Sequence, residues 1–299
     1  MAQSRGLKIR NSVARLTPWW IRRLVPEFVF KHFYPYGVFT ARLNGKPQVR
    51  LYSSGAQVEN EIFWRGLEDC HEKLSMKIWI MLCQQFGPKT VWDVGANTGT
   101  YGVIAKHYSP SSEVHLFEPL HLPMNIAKRN FALNSYQGNF YELALGNFDG
   151  EASVFLESEE DFAYSVTVNK NFAPKSAKRE LKIEVQRAEN FIQEPKQMPS
   201  LIKLDVETFE PEVLEGFGRL DLSETIFLIE ILNDQIAAAV EEFLPPSAYI
   251  YFNIDDKQDS ARIQEHLSKS DFYNFLILPR DIERIKLNQV LEFVAKFEV

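Results

Sequence analysis

Cysteine is scarce in this sequence, because only Cys70 and Cys83 occur among its 299 residues. The two are not spaced as Cys-x-x-Cys, which argues against a zinc site and against a disulfide framework. Cys83 ends the apolar run 79–83, where a buried and unreactive thiol is the common case. The cysteine content therefore favours a reducing compartment, and we expect a cytoplasmic protein.

Long hydrophobic runs are also missing. No stretch approaches the roughly 20 apolar residues that a membrane-spanning helix needs. Arginines interrupt the apolar residues of 6–30 every few positions, so no secretory signal is visible. The apolar content of 45% and the charged content of 24% are ordinary for a globular protein. A chain of this length can bury one large core or two small ones.

Excess positive charge is absent from the chain as a whole, whose formal net charge is -7. This balance argues against a general attraction to nucleic acid. Residues 1–60, however, hold ten Lys or Arg against two Asp or Glu, while the remainder holds 23 against 38. We therefore predict a basic, aromatic-rich arm over 1–60 and an acidic domain over 61–299. The arm could contact a membrane surface or could pack on the body or on a second subunit, and packing is favoured.

From Lys89 onward, short apolar strands alternate with helical patterns. Predicted helices cover 61–86, 100–108, 122–134, 211–217, 234–244, 260–270 and the C-terminal end. The first of these is expected to cover one sheet face and the ligand. Antiparallel strands within 146–190 indicate an inserted β-hairpin region. Seven strands of one sheet are predicted, at 90–96, 113–119, 139–145, 200–206, 225–231, 248–254 and 273–279.

Near-continuous apolar strands separated by helices indicate a mostly parallel sheet covered on both faces. We therefore predict an α/β, Rossmann-like fold. In such folds ligands bind at the edge where the parallel strands end.

The turn after the first strand reads Asp93-Val-Gly-Ala-Asn-Thr-Gly99. Its glycines allow a tight turn, and the helix beyond it offers free N–H groups to a carboxylate or phosphate. The dinucleotide fingerprint G-x-G-x-x-G is absent, because position 97 is Asn. Asp93 would repel a pyrophosphate but suits the ammonium and sulfonium groups of S-adenosylmethionine.

Glu118 ends the second strand, where a carboxylate can accept both ribose hydroxyl protons. Glu142 closes the third strand, near the expected place of the adenine, although residues 143–145 could supply backbone and apolar contact instead. These features favour S-adenosylmethionine over NAD as the cofactor. The predicted cofactor-binding residues are Asp93, Gly95, Asn97, Gly99, Tyr101, Glu118, Glu142, Ala144 and Asp205.

Four segments together resemble the FkbM-type methyltransferases: "VWDVGANTGTYG", "HLFEPLHLPMNIAKRNFALN", "LALGNFDG" and "LIKLDVETFEPEVLEGF". The resemblance covers roughly residues 60–232. It implies a class I methyltransferase fold and an S-adenosylmethionine-dependent enzyme that methylates hydroxyls of sugars or polyketide-like compounds. One departure is Thr208, where the family usually has glycine.

Methyl transfer to an alcohol needs an aligned acceptor and a base for its proton. A period of two would place Lys203, Asp205 and Glu207 on one side of the fourth strand. Asp205 is the first candidate for a role at the methyl centre, and Glu207 is the second, as base or acceptor anchor. Alternatively, Lys203 neutralises a buried acid and Glu207 caps the next helix.

Glu230 ends the neighbouring strand. Three such acids could bind Mg²⁺, but we predict no metal site. His121 and Ser165 could border the acceptor pocket, although a surface position is the commoner one for such residues.

No Asn/Asp-Pro-Pro-Tyr segment follows the fourth strand, so oxygen is favoured over nitrogen as the methylated atom. We therefore predict an O-methyltransferase that acts on a small-molecule or glycan acceptor, with no nucleic-acid partner. The alternatives are an NAD-dependent oxidoreductase and a catalytically inactive cofactor-binding protein of the same fold.

Overall fold

The computed structural model describes residues 5–156, 179–194, 197–270 and 272–297. Its N-terminal part contains three helices, α1 (Arg5–Leu16), α2 (Trp19–Arg22) and α3 (Glu27–Phe30). Pro18 and Pro26 occupy the N-cap positions of α2 and α3. A proline is tolerated at the start of a helix because the N–H group that it lacks would have no hydrogen-bond partner within the helix. An antiparallel hairpin of β1 (Gly37–Leu43) and β2 (Lys46–Ser53) follows.

The rest of the chain alternates helices and strands. In chain order these are α4 (Gln57–Arg65), α5 (Lys73–Phe86), β3 (Thr90–Val94), α6 (Thr100–Tyr108), β4 (Glu113–Phe117), α7 (His121–Leu133), β5 (Asn139–Tyr141), β6 (Ala144–Gly146), β7 (Gly150–Leu156), β8 (Arg179–Arg187), β9 (Leu201–Leu204), α8 (Glu210–Glu215), β10 (Ile226–Glu230), α9 (Asp234–Phe243), β11 (Tyr249–Asp255), β12 (Ser260–Gln264), β13 (Asn274–Pro279) and α10 (Arg284–Val294).

The main sheet has eight strands in the order β12-β11-β13-β10-β9-β3-β4-β5. The strands from β10 to β5 pair in parallel, while β13 is antiparallel to both β10 and β11. The α/β fold with a mostly parallel sheet is confirmed. A smaller sheet, β6-β8-β7, includes the antiparallel pair β7 and β8 of the predicted hairpin insertion. Ser165 lies outside the described residues.

The predicted count of seven strands is wrong by one, because the predicted helix over 260–270 is not formed. Its first part is strand β12, paired with β11. Asp255 closes the turn between them, since its Oδ1 accepts hydrogen bonds from the N–H groups of Lys257 and Gln258 at 2.9 and 2.8 Å. Pairing across this turn outweighs the local helical pattern of 260–270.

Two other predicted elements are divided. The helix expected over 61–86 is α4 and α5, because the chain takes a left-handed conformation at Gly66, with φ +83°. The strand expected over 139–145 is β5 in the main sheet and β6 in the smaller one.

Alternate strand residues fill two apolar layers, one on each face of the main sheet. Val91 and Leu228 belong to the layer that contains Trp79, whereas Trp92 and Phe227 belong to the other. Trp92 is fully buried and its ring centroid lies 5.5 Å from that of Phe217. This packing fixes the strand ends that form the site.

Candidate functional site

A cavity of about 320 Å³ lies where β3, β4, β9 and β10 end. Its walls come from the turn after β3, the end of β4, the start of β6 and the turn after β9, and α4 and the segment before α5 complete it. The cavity therefore occupies the ligand edge expected for this type of sheet.

The turn after β3 is held closely against its neighbours. The N–H groups of Gly95 and Ala96 both donate to the carbonyl oxygen of Phe117, each at 3.0 Å. Gly95 has φ +77°, and a Cβ atom there would lie 1.8 Å from the carbonyl oxygen of Asp205. Only glycine can occupy this position without moving the turn after β9.

Gly99 precedes α6 with φ +73°, and a Cβ there would meet Ala127 and Leu116. Its close contacts are thus with α7 and β4. Among the described residues, Gly99 does not line the cavity, whereas Gly95 and Asn97 do.

Asp93 lines the cavity while being only 2% exposed. Its Oδ2 accepts a hydrogen bond from the N–H of Gly102 at 2.8 Å. Burial raises the pKa of Asp93 to about 7, against the opposing effects of this bond and of Lys203. A cationic ligand in the cavity would therefore favour the ionised form.

Both carboxylate oxygens of Glu118 accept hydrogen bonds from backbone N–H groups. Its Oε2 accepts from the N–H of Asn97 and its Oε1 from the N–H of Leu120, both at 2.9 Å. Burial, reinforced by the charge of Asp205, raises its pKa to about 7. Because each carboxylate oxygen can accept about two hydrogen bonds, both retain capacity for a vicinal diol.

Tyr101 and Ala144 also line the cavity. The hydroxyl of Tyr101 donates to Glu72 Oε2 at 3.0 Å, and Lys203 Nζ lies 5.2 Å from the centroid of its ring. Glu142 instead pairs with the exposed His121, whose Nδ1 lies 2.8 Å from Glu142 Oε1. Within the described part of the chain, neither Glu142 nor His121 lines the cavity.

The opposite end of the cavity is built around Lys203, which is 2% exposed. Its Nζ lies 2.9 Å from Asp205 Oδ2 and 4.0 Å from Glu72 Oε1. Burial lowers the pKa of Lys203, but the charges of Asp205, Glu72 and Glu230 outweigh it and hold the pKa above its usual value. Lys203 is therefore a cation that fixes Asp205.

Strand β9 ends at Leu204, so the expected period of two does not reach Glu207. Glu207 and Thr208 instead have φ values of +54° and +78°. The turn thus keeps the left-handed conformation that the family's glycine suits, and Thr208 adopts it at a cost of about 1–2 kcal/mol. Lys203, Asp205 and Glu207 nevertheless all line the cavity.

Glu210, the first residue of α8, supports the turn, whereas the N-cap residue of this helix is Phe209 and not Glu207, and its side chain makes no capping hydrogen bond. Its Oε1 accepts from the N–H groups of Val206 and Thr208 at 3.2 and 3.3 Å, and the residue is fully buried. Burial raises the pKa of Glu210 to about 8.

Glu230 lies at the end of β10 and lines the cavity. No group in the described ranges hydrogen-bonds to its buried Oε2. Burial, with the charges of Asp205 and Glu207, raises the pKa of Glu230 to about 10. It is therefore a neutral acid near pH 7. In the residues that the structure describes, no three His, Cys, Asp or Glu side chains are arranged to hold a metal ion.

Sequence reasoning missed Glu72, which accepts a hydrogen bond from Asn274 Nδ2 at 2.7 Å besides the one from Tyr101. It also did not name the residues of α4 that line the cavity, Gln57, Val58 and Ile62, although the helix predicted over 61–86 was expected to cover the ligand. No motif marks these positions, because they reach the site from a helix and a loop outside the strand–turn–helix pattern.

Residues 93–251 match the methyltransferase FkbM domain, and this segment is more than half of the chain. The chain belongs to this family. It is therefore an S-adenosylmethionine-dependent methyltransferase with a class I fold, which decides against NAD as the cofactor.

Solved structures with a similar fold include the SAM-dependent methyltransferase from Agrobacterium tumefaciens, at 12% identity over 81% of this chain and 70% of that one, with a TM-score of 0.42. Another is the precorrin-6y C5,15-methyltransferase from Geobacter metallireducens, at 11% identity over 68% and 86%, with a TM-score of 0.37. A third is the ribosomal protein L11 methylase from Lactobacillus delbrueckii, at 12% over 69% and 77%, with a TM-score of 0.38. No curated protein matches the sequence. The assignment to the FkbM family rests on the domain match.

Proposed function

We propose that this FkbM-family methyltransferase methylates a hydroxyl group of a sugar or a related polyhydroxy acceptor. The observation that carries the proposal is the group of carboxyl side chains at one end of the cavity. Asp205 is fixed by Lys203 at 2.9 Å, and Glu207 and Glu230 line the same space. These side chains offer both a proton acceptor and several hydrogen-bond partners for hydroxyl groups.

The residues of the turn after β3 and of the end of β4 fit S-adenosylmethionine. Glu118 would hold the two ribose hydroxyls, and Asp93 would face the cationic groups, directly or through water. The glycine at 95 keeps the turn free of a side chain that would fill the space beside Asp205. Asn97, Tyr101 and Ala144 would complete the wall around the cofactor. Gly99 would act indirectly, by allowing the turn after β3 to pack closely on α7 and β4.

When bound, S-adenosylmethionine supplies an electrophilic methyl group on a sulfonium. The chain's own contribution is then to align the acceptor and to accept its proton. We assign alignment at the methyl centre to Asp205, whose orientation Lys203 fixes. Glu207 would accept the hydroxyl proton or anchor the acceptor. The neutral Glu230 would donate a hydrogen bond to a second acceptor oxygen.

Oxygen is favoured over nitrogen because the turn after β9 reads Asp205-Val-Glu-Thr-Phe209, without the Pro-Pro-Tyr sequence that suits amino groups. The proposed partner is a small molecule or a glycan, in the cytoplasm, and not a nucleic acid. We also propose the division into an arm over 1–60 and a methyltransferase domain over 61–299, with its insertion at about 146–190. Among the described residues, no helix is long and apolar enough to cross a membrane.

The test is incubation with methyl-labelled S-adenosylmethionine and a panel of cell-envelope glycans and free sugars. We expect label in a hydroxyl-bearing fraction, as an ether that resists mild base. Asp205→Asn and Glu207→Gln should each lower kcat about 100-fold, as expected for loss of a positioned base or aligning group. Glu142→Gln serves as the control, because Glu142 pairs with His121 outside the cavity lining.

Label that enters only nitrogen atoms would contradict the proposal, as would full activity of both cavity variants. Tight binding of S-adenosylhomocysteine without turnover on any member of the panel, and unchanged by Asp205→Ala, would favour the inactive cofactor-binding protein instead.

A further inference from the structure

The N-terminal helices expose a row of large apolar side chains to solvent. The row consists of Val13, Leu16, Trp20, Leu24 and Phe28, with exposed fractions of 48, 82, 69, 76 and 75%. We call these five residues the outer row. They recur every three or four positions along α1, α2, α3 and the turns between them, so the exposed apolar side chains are concentrated in one short segment of the chain. An apolar cluster of this kind on a protein surface marks an interaction site.

The other side of the same segment is already packed on the protein. The guanidinium of Arg22 lies 3.6 Å from the ring centroid of Phe63 in α4, and the buried Phe30 stacks on Trp64 with a centroid distance of 6.1 Å. Arg65 of α4 donates to the carbonyl oxygens of Arg23 and Val25. These contacts fix the segment against α4. The helices therefore cannot rotate to bury the side chains of the outer row.

The charge around the outer row is positive. Arg23 is exposed, Glu27 is paired with Lys31 at 2.7 Å, and residues 1–60 carry eight more basic than acidic side chains. The rest of the chain has an acidic excess of fifteen. An anionic surface would therefore attract the arm and repel the body, which orients the molecule.

We propose that the outer row docks on an anionic lipid surface, with its apolar side chains in the headgroup region and Arg23 at the phosphates. Trp, Phe and Leu beside Arg are the residues of helices that lie in a membrane interface. A symmetric pair of chains joined through this row would place two basic arms against each other, and like charges oppose that arrangement.

Helix α4 connects this surface to the site. Phe63 and Trp64 hold the arm, while Gln57, Val58 and Ile62 of the same helix line the cavity. If the outer row docks on lipid, α4 would connect the membrane-bound arm to the wall of the cavity.

The first experiment is co-sedimentation of the full chain with vesicles of phosphatidylcholine, with or without about 30% phosphatidylserine. We expect binding to the anionic vesicles that weakens with added salt. The double variant Leu24→Asp/Phe28→Asp should bind about tenfold or more weakly, because it removes apolar contact and adds negative charge. The matched control is Ile263→Asp, which changes a 60% exposed apolar side chain on β12. Thermal unfolding of each variant shows that the fold is kept.

A second measurement uses fluorescence. Trp20 is largely exposed, whereas Trp64, Trp79 and Trp92 are buried. Anionic vesicles should shift the emission to shorter wavelength, and Trp20→Leu should remove most of the shift while keeping most of the binding, because the neighbouring Trp19 is half-buried. Equal binding of the double variant and the wild type would overturn the proposal. So would the absence of vesicle binding, with sedimentation equilibrium showing a dimer that the double variant dissociates.

Discussion

Gly95 makes the closest approach in the site, because a side chain there would collide with the backbone of Asp205. We expect Gly95→Ala to displace one of the two turns and to weaken the binding of S-adenosylhomocysteine about 100-fold or more, as measured by calorimetry. Gly87→Ala is the matched control. Gly87 also has a left-handed conformation, with φ +54°, but no described atom lies within 4 Å of its added Cβ.

The control should lose about 1 kcal/mol of stability from backbone strain and keep its cofactor affinity. Equal losses of affinity in the two variants would show that the close contact of Gly95 with Asp205 is not needed for cofactor binding.

If Glu118 holds the ribose as proposed, we expect the cofactor affinity to depend on pH. Its folded pKa of about 7 lies above the usual value for glutamate, so the protein ionises this carboxyl only as the pH rises through about 7. The ionised form is the better acceptor for ribose hydroxyls and the better partner for a cation. We therefore expect the affinity for S-adenosylmethionine to rise by up to about tenfold between about pH 6 and pH 8.

Glu118→Gln should reduce both the affinity and this pH dependence, while Glu142→Gln should leave both unchanged. The remaining slope in Glu118→Gln would belong to Asp93, whose pKa is also raised to about 7. A wild-type affinity that is constant from about pH 6 to pH 8 would contradict this account.

Residues tied to the strand–turn–helix pattern line the cavity at the expected edge of the sheet, and their roles in cofactor binding stay predictions. Asp93, Gly95 and Glu118 are fixed relative to the sheet by β3 and β4, so their place in the chain decides their place in space. Glu72 and Glu142 depend on loop paths that no local pattern encodes. Glu72 therefore escaped notice, and Glu142 lies against His121 rather than in the described wall of the cavity.

Helix α9 offers a test of one element, since it packs against α8 and begins at a capping residue. The side chain of Asn233 accepts a hydrogen bond from the N–H of Ile236 at 3.0 Å. We expect Asn233→Ala to lower the free energy of unfolding by about 1 kcal/mol. Asn233→Asp should retain most of it, because an aspartate also caps a helix.

Urea unfolding followed by circular dichroism measures both changes. Equal stability of Asn233→Ala and the wild type would show that solvent replaces the cap without loss.

Helices and strands were predictable where the apolar pattern of a segment fits only one type of secondary structure. The strands at the centre of the sheet are short, continuous and buried, and their positions match the prediction within a few residues. The segment 260–270 has no such run, and its pairing with β11 is decided by a turn that Asp255 closes. The hairpin of β1 and β2 was missed for a similar reason, because its strands carry polar residues and pair mainly with each other.

The protein contains several buried carboxyl groups whose pKa values are raised. The pKa is about 7 for Asp93 and Glu118, about 8 for Glu210 and about 10 for Glu230, with burial as the main cause in each case. Each folded pKa lies above its unfolded value, so the stabilisation is complete below the unfolded pKa and is lost as the pH rises through the folded one. Between about pH 6 and pH 9, the ligand-free protein should therefore lose about 1 kcal/mol of stability per pH unit for each of these carboxyl groups that is still protonated in the folded protein but ionised in the unfolded chain.

Urea unfolding across this range measures the loss. The double variant Glu210→Gln/Glu230→Gln should flatten the upper part of the profile, and the exposed Glu224→Gln should not. A stability that increases steadily from about pH 6 to pH 9 would show that these carboxyls are ionised without cost in the folded protein.

The contact between Gly95 and the carbonyl of Asp205 also limits how the enzyme could be redesigned. The turn after β3 and the turn after β9 are in backbone contact, so the path of the chain at 204–206 cannot shift without opening the turn that we propose to hold the cofactor. Exchange of side chains at 206, 207 and 230 should therefore change which acceptors are methylated, whereas an insertion or deletion at 204–206 should abolish binding of the methyl donor itself.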